Sequence, residues 1–465
     1  MNKQLLYMII QSWSEANGNV NGLDDILKWV DEINQNTFVK IEKRAFGFDN
    51  NWIYKAEENG IVHKSNQFFS IKGFQQMKDN KVIKEQPIII QKDIGYLGFI
   101  CKEIDGVLNF LIQAKIEPGN LNNVQISPTL QATKSNFMQV HGGKKPLYLD
   151  YFMDNKHEVI VDVLQSEHSN YFLGKRNRNI IIKVDAEVKV AENYMWVTLG
   201  QIKKMLKIDN LINMDTRTVI SCIPFQFEYL NDKDIRHFNT LIRKKSLLNS
   251  MTYNDGNVIY NKLLQYINNY KMMADSETFI TDLFSLYGWK YNKEKTEFFC
   301  EKTDTFSLLY CGIEIEGREV NKWAQPMIKS EGIKTCGLLQ CVDNGITKYL
   351  LSAVSQIGCS DKIEIGPAVN SVYKRCAVKN EVDNLFWTKY ANKVDVVIDV
   401  LLSEEGGRFY KEQSQNVIIE IQKDELDITK LSGYFWVDFH TVNKFILIGN
   451  YVNIQLRNLM ALIEL

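Results

Sequence analysis

The alternation of apolar and polar residues predicts short strands along most of the chain. Residues 68–71, 107–116 and 159–164 are rich in β-branched and aromatic side chains, and turn-forming residues separate such runs. Helical spacing occurs in residues 2–50 and in the stretch from 231 to about 302. The pattern therefore predicts an α+β protein with a helical N-terminal segment and an internal helical linker.

Charged side chains concentrate in one predicted hairpin, residues 161–184. Alternate residues of a strand share a face, so Arg176 and Arg178 point to one side while Lys175 and Asn179 point to the other. Two guanidiniums on one face form a fork that suits a diphosphate or an enolate oxygen. A solvated hairpin is the alternative interpretation.

The second half of the chain repeats the first. Glu167 returns as Glu404 after a matching strand, and Trp196 returns as Trp436 before a matching helix. The offset between corresponding positions stays between 237, for the glutamates, and 240, for the tryptophans. A duplication explains this regularity, and repeats must be recognised before a fold is assigned.

The duplication sets the expected domain organisation. We expect a helical N-terminal segment at 1–50, a first module at 51–230, a helical linker at 231–302 and a second module at 303–465. Each module should be a mixed sheet flanked by helices. Such a chain is long enough for each module to bury its own core.

Composition narrows the functional classes. The 465 residues include 55 Lys and Arg against 56 Asp and Glu, a net charge of -1, which argues against nucleic acid or an anionic membrane as a partner. The eight cysteines form no CxxC pair, and the sequence has no secretory or membrane-spanning pattern. We therefore expect a cytoplasmic protein with free thiols. The six histidines show no ligand spacing, so no metal is expected.

Polar groups present in only one copy are candidates for a functional site. Arg176 and Arg178 correspond to Gln413 and Gln415, so the cationic fork belongs to the first copy alone. Loss of charge from a solvated surface is the alternative. The first copy concentrates acid, base and anion-binding groups at Thr129, Gln131, His141, Lys144, Tyr148, Asp150, Glu167, Arg176 and Arg178.

Long runs of both copies resemble the NDP-hexose 2,3-dehydratase family of deoxysugar biosynthesis. The matching runs of the first copy are 126–133, His141 with Gly143, 148–152, 161–167, 175–179, and 210–215 with Arg217. Those of the second copy are 318–320, Trp323, 325–326 and 403–410. The second copy departs from the family pattern at 367–370 and 413–416, so the site is expected in the first copy.

The resemblance implies two tandem modules of Nudix-hydrolase-like fold, a homodimer, and a metal-independent reaction on dTDP-4-keto-6-deoxyglucose that uses no cofactor. The glutamate-rich metal box of Nudix hydrolases is absent: residues 318–320 imitate its centre, but 321–323 supply no carboxylate. Without a cradle for Mg²⁺, a pyrophosphohydrolase is disfavoured. A non-catalytic module that binds nucleotide sugars is a second alternative.

Three residues are candidates for proton transfer in that reaction: Glu167, His141 and Tyr148. His141 and Tyr148 rank first, because Glu404 preserves Glu167 in a copy that has lost the other groups. A histidine also titrates near neutral pH.

The other expected site residues bind the substrate. Arg176 and Arg178 are expected to bind the diphosphate or the enolate oxygen, and Thr129 and Gln131 to orient the sugar. We expect Arg178→Ala to slow turnover far more than Gln415→Ala. The remaining expected binding residues are Lys144, Lys175, Asn179, Asn213 and Arg217.

Overall fold

The computed structural model describes residues 3–47, 51–138, 144–154, 156–225, 227, 230–294, 296–302, 305–317, 320–372 and 380–465. Its helices are α1 (Lys3–Ser14), α2 (Leu23–Asn36), α3 (Lys134–Phe137), α4 (Leu149–Met153), α5 (Leu199–Met205), α6 (Met214–Ser221), α7 (Asp232–Leu241), α8 (Lys245–Thr252), α9 (Val258–Met273), α10 (Glu381–Ala391), α11 (Phe439–Ile448) and α12 (Ile454–Ala461).

The strands of the first half of the chain are β1 (Val39–Arg44), β2 (Trp52–Lys55), β3 (Gly60–His63), β4 (Ser70–Lys78), β5 (Lys81–Ile90), β6 (Gly95–Ile104), β7 (Val107–Ile116), β8 (Val124–Ser127), β9 (Leu130–Ala132), β10 (Glu158–Ser166), β11 (Arg176–Lys183) and β12 (Tyr194–Thr198). Those of the second half are β13 (Glu277–Thr281), β14 (Trp289–Asn292), β15 (Glu297–Cys300), β16 (Phe306–Ile315), β17 (Lys322–Ser330), β18 (Lys334–Asp343), β19 (Ile346–Val354), β20 (Glu364–Pro367), β21 (Val369–Val372), β22 (Val396–Ser403), β23 (Gln413–Glu420) and β24 (Tyr434–Asp438).

Each half contains a seven-stranded mixed sheet of the same topology. In the first half the order is β10-β11-β6-β7-β12, with β8 beside β7 and β9 beside β6. In the second half β22-β23-β18-β19 continues to β20, with β24 also on β19 and β21 on β18. The parallel pair is β6 with β11 in the first sheet and β18 with β23 in the second. Both β10 and β22 carry a register shift near their start, so the repeat extends to this irregularity. The predicted α+β class is confirmed.

One glycine of each sheet is explained by the helix that covers it. A Cβ added at Gly98 would lie 2.4 Å from the ring of Phe152, and one at Gly337 would lie 2.4 Å from the ring of Phe386. The aromatic side chains of α4 and α10 therefore rest directly on the backbone of β6 and β18. Any larger residue at either glycine would displace the helix.

The two smaller sheets exchange strands between the halves. The order of one is β13-β4-β3-β2 with β5 on β4, and the other is β1-β16-β15-β14 with β17 on β16. Thus β1, from the start of the chain, pairs with β16 of the second half. In return β13, the first strand of the second half, pairs with β4 of the first half. The exchange links the two halves through backbone hydrogen bonds at two separate places.

Two segments predicted to be helical are helical only in part. Residues 231–302 contain α7 to α9 but also β13, β14 and β15, and residues 1–50 contain β1. The strands were missed because β1 and β13 are short and pair with strands of the other half of the chain. Local periodicity does not reveal such long-range pairing.

The largest hydrophobic core runs through both halves. It contains apolar residues of both seven-stranded sheets, and α6 packs on α12 within it. Two fully buried arginines cross this contact. Arg217 donates to the carbonyl of Ile212 in its own half, at 2.7 Å, and to that of Ser403 in the other, at 2.6 Å.

Arg457 repeats the arrangement from the other side. It donates to the carbonyl of Val452 at 2.5 Å and to that of Ser166 at 2.5 Å, and its Nε donates to Thr218 Oγ1 at 2.9 Å. Burial lowers the pKa of both guanidiniums, that of Arg217 to about 10. Both remain charged at neutral pH, and each satisfies backbone carbonyls that would otherwise be buried without a donor.

Within the described ranges, no helix is long and apolar enough to cross a membrane.

We expect Arg457→Met to lower the free energy of unfolding by about 3 kcal/mol, because the carbonyls of Val452 and Ser166 lose their donor inside the core. Urea denaturation followed by fluorescence measures the loss. Arg176→Met is the matched control at an exposed position and should change stability by less than about 0.5 kcal/mol. Equal effects of the two substitutions would contradict this role of Arg457.

Candidate active site

Each half sends one loop into the other half. We call residues 167–174 the first crossing loop and residues 404–411 the second crossing loop. The amide of Gly119 donates to Gly406 O at 2.7 Å, and the amide of Lys411 donates to Gly119 O at 2.8 Å. A Cβ on Gly119 would lie 1.6 Å from Phe409 O, so only glycine allows this approach. The second crossing loop is thereby held against the end of β7.

The first crossing loop is held in the same way. The amide of Gly358 donates to Ser169 O at 2.7 Å, and the amide of Gly174 donates to Gly358 O at 2.9 Å. A Cβ on Gly358 would lie 2.1 Å from Phe172 O. The two junctions are related by the duplication, so their polar side chains can be compared position by position.

Polar residues gather at both junctions. The first cluster, at the end of β7 and the start of β11, consists of Lys115, Glu117, Gln131, Glu167, Lys175, Asn177, Asn213 and Asp215, with Glu405 and Arg408 from the second crossing loop. The second cluster consists of the corresponding Val354, Gln356, Asn370, Glu404, Glu412, Ser414, Asn453 and Gln455, with His168 and Tyr171 from the first crossing loop.

A chain of hydrogen bonds runs through the first cluster. Asn213 caps α6 through its side-chain oxygen, and its Nδ2 donates to Gln131 Oε1 at 3.0 Å. Gln131 Nε2 in turn donates to Glu117 Oε1 at 3.0 Å. The second carboxylate oxygen of Glu117 is buried and has no hydrogen-bond partner in the described part of the chain. An unpartnered carboxylate oxygen of this kind is available to a ligand.

A second group of contacts fixes Glu167 and Lys175. Asn177 Nδ2 donates to Glu167 Oε1 at 2.7 Å. Lys175 Nζ contacts the carbonyl of Asp93 and lies 3.7 Å from its carboxylate. Burial lowers the pKa of Lys175, and the carboxylates of Asp93 and Glu167 oppose that shift. The cluster therefore holds a buried lysine next to several carboxylates.

The second crossing loop adds Arg408 and Glu405. Arg408 donates to Gln91 Oε1 at 3.1 Å and lies 4.2 Å from the centre of the Phe69 ring, while its Nε is buried without a partner among the described residues. Burial raises the pKa of Glu405 to about 7; Arg408 opposes the shift, and Glu117 adds to it. An acid–base group is thus poised near neutral pH at the junction.

Asp215, at the N-terminal turn of α6, is the most strongly perturbed carboxyl of the first cluster. Burial raises its pKa well above the usual range, and the charges of Glu167, Glu117 and Glu405 raise it further. The shift favours the neutral form of the carboxyl, which can donate a hydrogen bond.

The first crossing loop places His168 and Tyr171 against the glutamates of the second cluster, although Glu404 Oε2 and Glu412 Oε2 have no hydrogen-bond partner among the described residues. The hydroxyl of Tyr171 lies 3.3 Å from Glu412 Oε1 and 3.0 Å from Ser330 Oγ, and Lys334 contacts the same hydroxyl. His168 Nε2 lies 3.5 Å from Glu404 Oε2. Side chains of the first crossing loop thus occupy the positions that Glu405 and Arg408 take in the first cluster.

Charge also distinguishes the two clusters. Lys115, Lys175 and Arg408 of the first correspond to Val354, Glu412 and Tyr171 of the second. Burial alone would raise the pKa of Glu404, but His168 and Arg217 hold it at about 2. The second cluster therefore has fewer cations to offer an anionic ligand, and its central glutamate is held ionised inside the fold.

Four of the residues predicted from the sequence meet in the first cluster: Gln131, Glu167, Lys175 and Asn213. They lie on four separate elements or loops, and the fold brings them together. Gln131 is partly exposed and marks the side on which the cluster reaches the surface.

The predicted arginine fork does not join them. Arg178 Nε donates to Asp162 Oδ1 at 2.7 Å, and its guanidinium lies 5.2 Å from the Tyr96 ring centre, on the face of β11 opposite Asn177. Arg176, on that same face, is exposed. Gln415 makes the corresponding contact with Asp399 in the second half, which identifies the contact as part of the shared scaffold.

Other predicted residues take structural positions. Thr129 is buried; its hydroxyl accepts from the amide of Ile100 at 3.0 Å and donates to the carbonyl of Leu111. Asn179 is also buried and donates to the carbonyl of Asn177 at 3.1 Å. Arg217 is committed to backbone carbonyls, as described above. These three side chains stabilise strands and the contact between the halves.

The loop that follows β9 carries the remaining predicted residues. Lys144 is exposed. The hydroxyl of Tyr148 donates to Lys189 O at 2.8 Å and accepts from the amide of Ala191 at 3.0 Å, which fixes the start of α4. His141 lies outside the described residues, as do Arg318 and Glu319 of the altered metal box.

Sequence reasoning missed six members of the first cluster: Lys115, Glu117, Asn177, Asp215, Glu405 and Arg408. The signal for three of them was present, because Lys115, Glu117 and Asp215 become Val354, Gln356 and Gln455 in the second copy. Glu405 and Arg408 stand opposite His168 and Tyr171 and lie in the matching run 403–410, but they belong to the copy in which no site was expected. Within the described residues, no group of three or more His, Cys, Asp or Glu side chains is arranged to hold a metal.

Comparison with known proteins agrees with the duplicated architecture. A sequence model of the NDP-hexose 2,3-dehydratases matches residues 23–223 and again residues 260–463. Both segments begin before the exchanged strands and end after the helices α6 and α12, as the structural repeat does.

Three relatives are named dTDP-4-dehydro-6-deoxy-alpha-D-glucopyranose 2,3-dehydratase. That of Saccharopolyspora spinosa is 32% identical over 461 residues, which cover 96% of this chain and 92% of the relative. That of Amycolatopsis orientalis is 31% identical, with 95% and 90% covered, and that of Streptomyces violaceoruber is 31% identical, with 89% and 90% covered. The chain belongs to the NDP-hexose 2,3-dehydratase family.

Proposed function

We propose that the protein is a hydro-lyase that removes water across C2 and C3 of dTDP-4-keto-6-deoxyglucose in deoxysugar biosynthesis. The observation that carries this proposal is the asymmetry between the two clusters. The first gathers carboxylates, two lysines and an arginine at a partly exposed junction, whereas Val354, Glu412 and Tyr171 stand in place of these three cations in the second, and His168 faces its Glu404.

The chemistry requires few groups. The 4-ketone acidifies the hydrogen on C3, and a base that removes it produces an enolate. The enolate expels the hydroxyl of C2 as water, and tautomerisation of the resulting enol gives a 3,4-diketo-2,6-dideoxy sugar. The protein must supply a base at C3, donors for the enolate oxygen, and cations for the diphosphate.

The first cluster contains groups of each kind. Lys175 and Arg408 are the cations proposed for the enolate oxygen or the diphosphate, a role that the sequence had given to Arg176 and Arg178. Gln131 is proposed to orient the sugar, because it links two elements of the cluster and is partly exposed.

The neighbouring loop is included in the proposal. His141 and Tyr148, ranked first for proton transfer from the sequence, and Lys144, a predicted binding residue, are proposed to contact the substrate, because the segment that carries them follows β9, the strand of Gln131. Glu167 is proposed to act as a fixed anion that orients Asn177, since both its position and its charge are kept in the second copy as Glu404.

We also propose that each module, 51–230 and 303–465, has a Nudix-hydrolase-like fold. In both, a mixed sheet lies between helices, with α4 and α6 on opposite faces of the first sheet and α10 and α12 in the corresponding places. The seven cysteines in the described ranges are all unpaired, which is consistent with a reducing cytoplasmic environment.

The activity is tested by incubating the purified protein with dTDP-4-keto-6-deoxyglucose, with and without EDTA. We expect the substrate to lose one water by mass at the same rate in both samples, and the product formed in D₂O to carry deuterium at C2. An unchanged substrate mass would refute the dehydratase proposal and leave a binding module. Release of nucleoside monophosphate only with Mg²⁺ would identify a hydrolase instead.

A pair of substitutions tests the location of the site. Lys175→Met should lower kcat/KM about 100-fold, because it removes the buried cation of the first cluster. Arg178→Met should lower kcat/KM less than about threefold, since Arg178 is paired with Asp162 on the opposite face of β11. The reverse order would place the substrate on the Arg178 face.

We propose a homodimer formed through the β4–β5 hairpin and β13. Four apolar side chains of β5 and β13 are largely exposed there: Val82 (45%), Ile83 (54%), Phe279 (44%) and Ile280 (44%). Both strands pair with β4, one on either side of it, and we propose that a second copy covers apolar side chains of this sheet.

Ile83→Asp combined with Ile280→Asp should convert the dimer to a monomer in light scattering after size-exclusion chromatography, because two charges would be buried against the partner. Val190→Asp, at another exposed apolar position, is the control and should leave the dimer intact. A dimer that survives the double substitution would place the interface elsewhere.

A further inference from the structure

The second crossing loop brings a titratable group of the second half into the first cluster. Glu405 is partly exposed, whereas Glu117 and Glu167 beside it are each 6% exposed. Its Oε1 lies next to Gly407, where an added Cβ would be 2.2 Å from it and 3.7 Å from Glu117 Oε1. Of these three carboxylates, Glu405 is therefore the one placed on the solvent side of the cluster.

The corresponding residue of the first half, His168, is enclosed by the protein. His168 is 3% exposed, its Nε2 faces Glu404 at 3.5 Å, and its Nδ1 lies 3.2 Å from Gln455 Nε2. Both ring nitrogens are therefore engaged inside the protein. The same loop position carries a partly exposed glutamate in one junction and a buried histidine in the other.

We propose that Glu405, a residue of the second module, is the catalytic acid–base group of the site in the first module. Arg408 donates to Gln91 Oε1 and lies against the Phe69 ring, and these contacts hold the loop that carries Glu405 in place. The inference rests on the proposed dehydratase function, and it means that neither module contains a complete active site.

One carboxylate can carry out both proton transfers of the elimination. The Glu405 carboxylate takes the proton from C3, and the electron pair of the C3–H bond forms the enolate. As the C2=C3 double bond forms, the C2–O bond breaks and the departing hydroxide takes the same proton back from Glu405, leaving as water. Glu405 returns to its ionised form, and the enol product tautomerises by losing its O3 proton and gaining one at C2.

The surroundings of Glu405 suit this double role. The charged groups that face it are Glu117 at the end of β7, Glu167 after β10, Lys175 before β11, Arg408 on its own loop, and Asp215 on α6. Burial raises the pKa of Glu405 to about 7, so the group both accepts and returns a proton near neutral pH. Because the base must be ionised, kcat/KM should fall as the pH drops through about 7.

Glu405→Gln tests the assignment, with Glu405→Asp as the conservative variant. We expect the glutamine variant to lose about 1,000-fold in kcat, which is within the range for general acid–base groups. It should still bind dTDP-glucose, an unreactive analogue without the 4-ketone, within about threefold of the wild-type Kd, since the isosteric amide fills the same space. Glu405→Asp should restore part of kcat.

Two controls separate chemistry from folding. His168→Gln changes the corresponding residue of the other loop and should lower stability while leaving kcat within about threefold, because His168 is engaged only with structural partners. Glu187→Gln removes a carboxylate that is 93% exposed and should change neither quantity.

The outcomes distinguish the two proposals. If the wild-type protein does not dehydrate the substrate, the proposed function fails. If the wild type is active and Glu405→Gln keeps more than about a tenth of kcat, the role of Glu405 is wrong and the function stands. If Glu405→Gln does not fold, the wild-type pH profile decides: a profile that is flat between about pH 6 and pH 8 would overturn the assignment.

Discussion

The structure depends on two buried arginines, each of which donates to the backbone carbonyl of the residue that directly precedes the crossing loop of the opposite half. Arg217 donates to Ser403 O, and Ser403 directly precedes the loop that carries Glu405 and Arg408. Arg457 donates to Ser166 O, which directly precedes the other crossing loop. A guanidinium buried in an apolar contact is stable only while its carbonyl partners stay in place. Each arginine therefore fixes the position from which a loop enters the opposite half.

This reciprocal arrangement explains how one duplicated scaffold can hold two different junctions. The backbone contacts of the glycines, the strand order and the arginines are common to both, whereas the side chains delivered by the loops differ. In one direction the loop delivers Glu405 and Arg408; in the other it delivers His168 and Tyr171, which fill the space. Divergence of a few side chains was sufficient to make the two junctions different, since the backbone that positions them did not change.

Much of this could be predicted from the sequence, and the rest depended on long-range geometry. Strand alternation and the internal repeat gave the α+β class and the two sheets, and the comparison of copies identified Gln131 and Lys175. Local patterns could not show that β13 pairs with β4, or that Arg178 faces away from Asn177 toward Asp162. The same comparison assigned the site to the first copy alone, because nothing in the sequence shows that the loop of the second copy reaches the first cluster and brings Glu405 there.

The most direct test of a shared site is a crystal structure of the protein with dTDP-glucose, which cannot react because it has no 4-ketone. The account predicts that the sugar ring lies at the first cluster, with C3 close to the Glu405 carboxylate. Lys175 should then lie near the sugar or the diphosphate. A sugar bound on the opposite face of β11, beside Arg176 and Arg178 and out of reach of the second crossing loop, would contradict it.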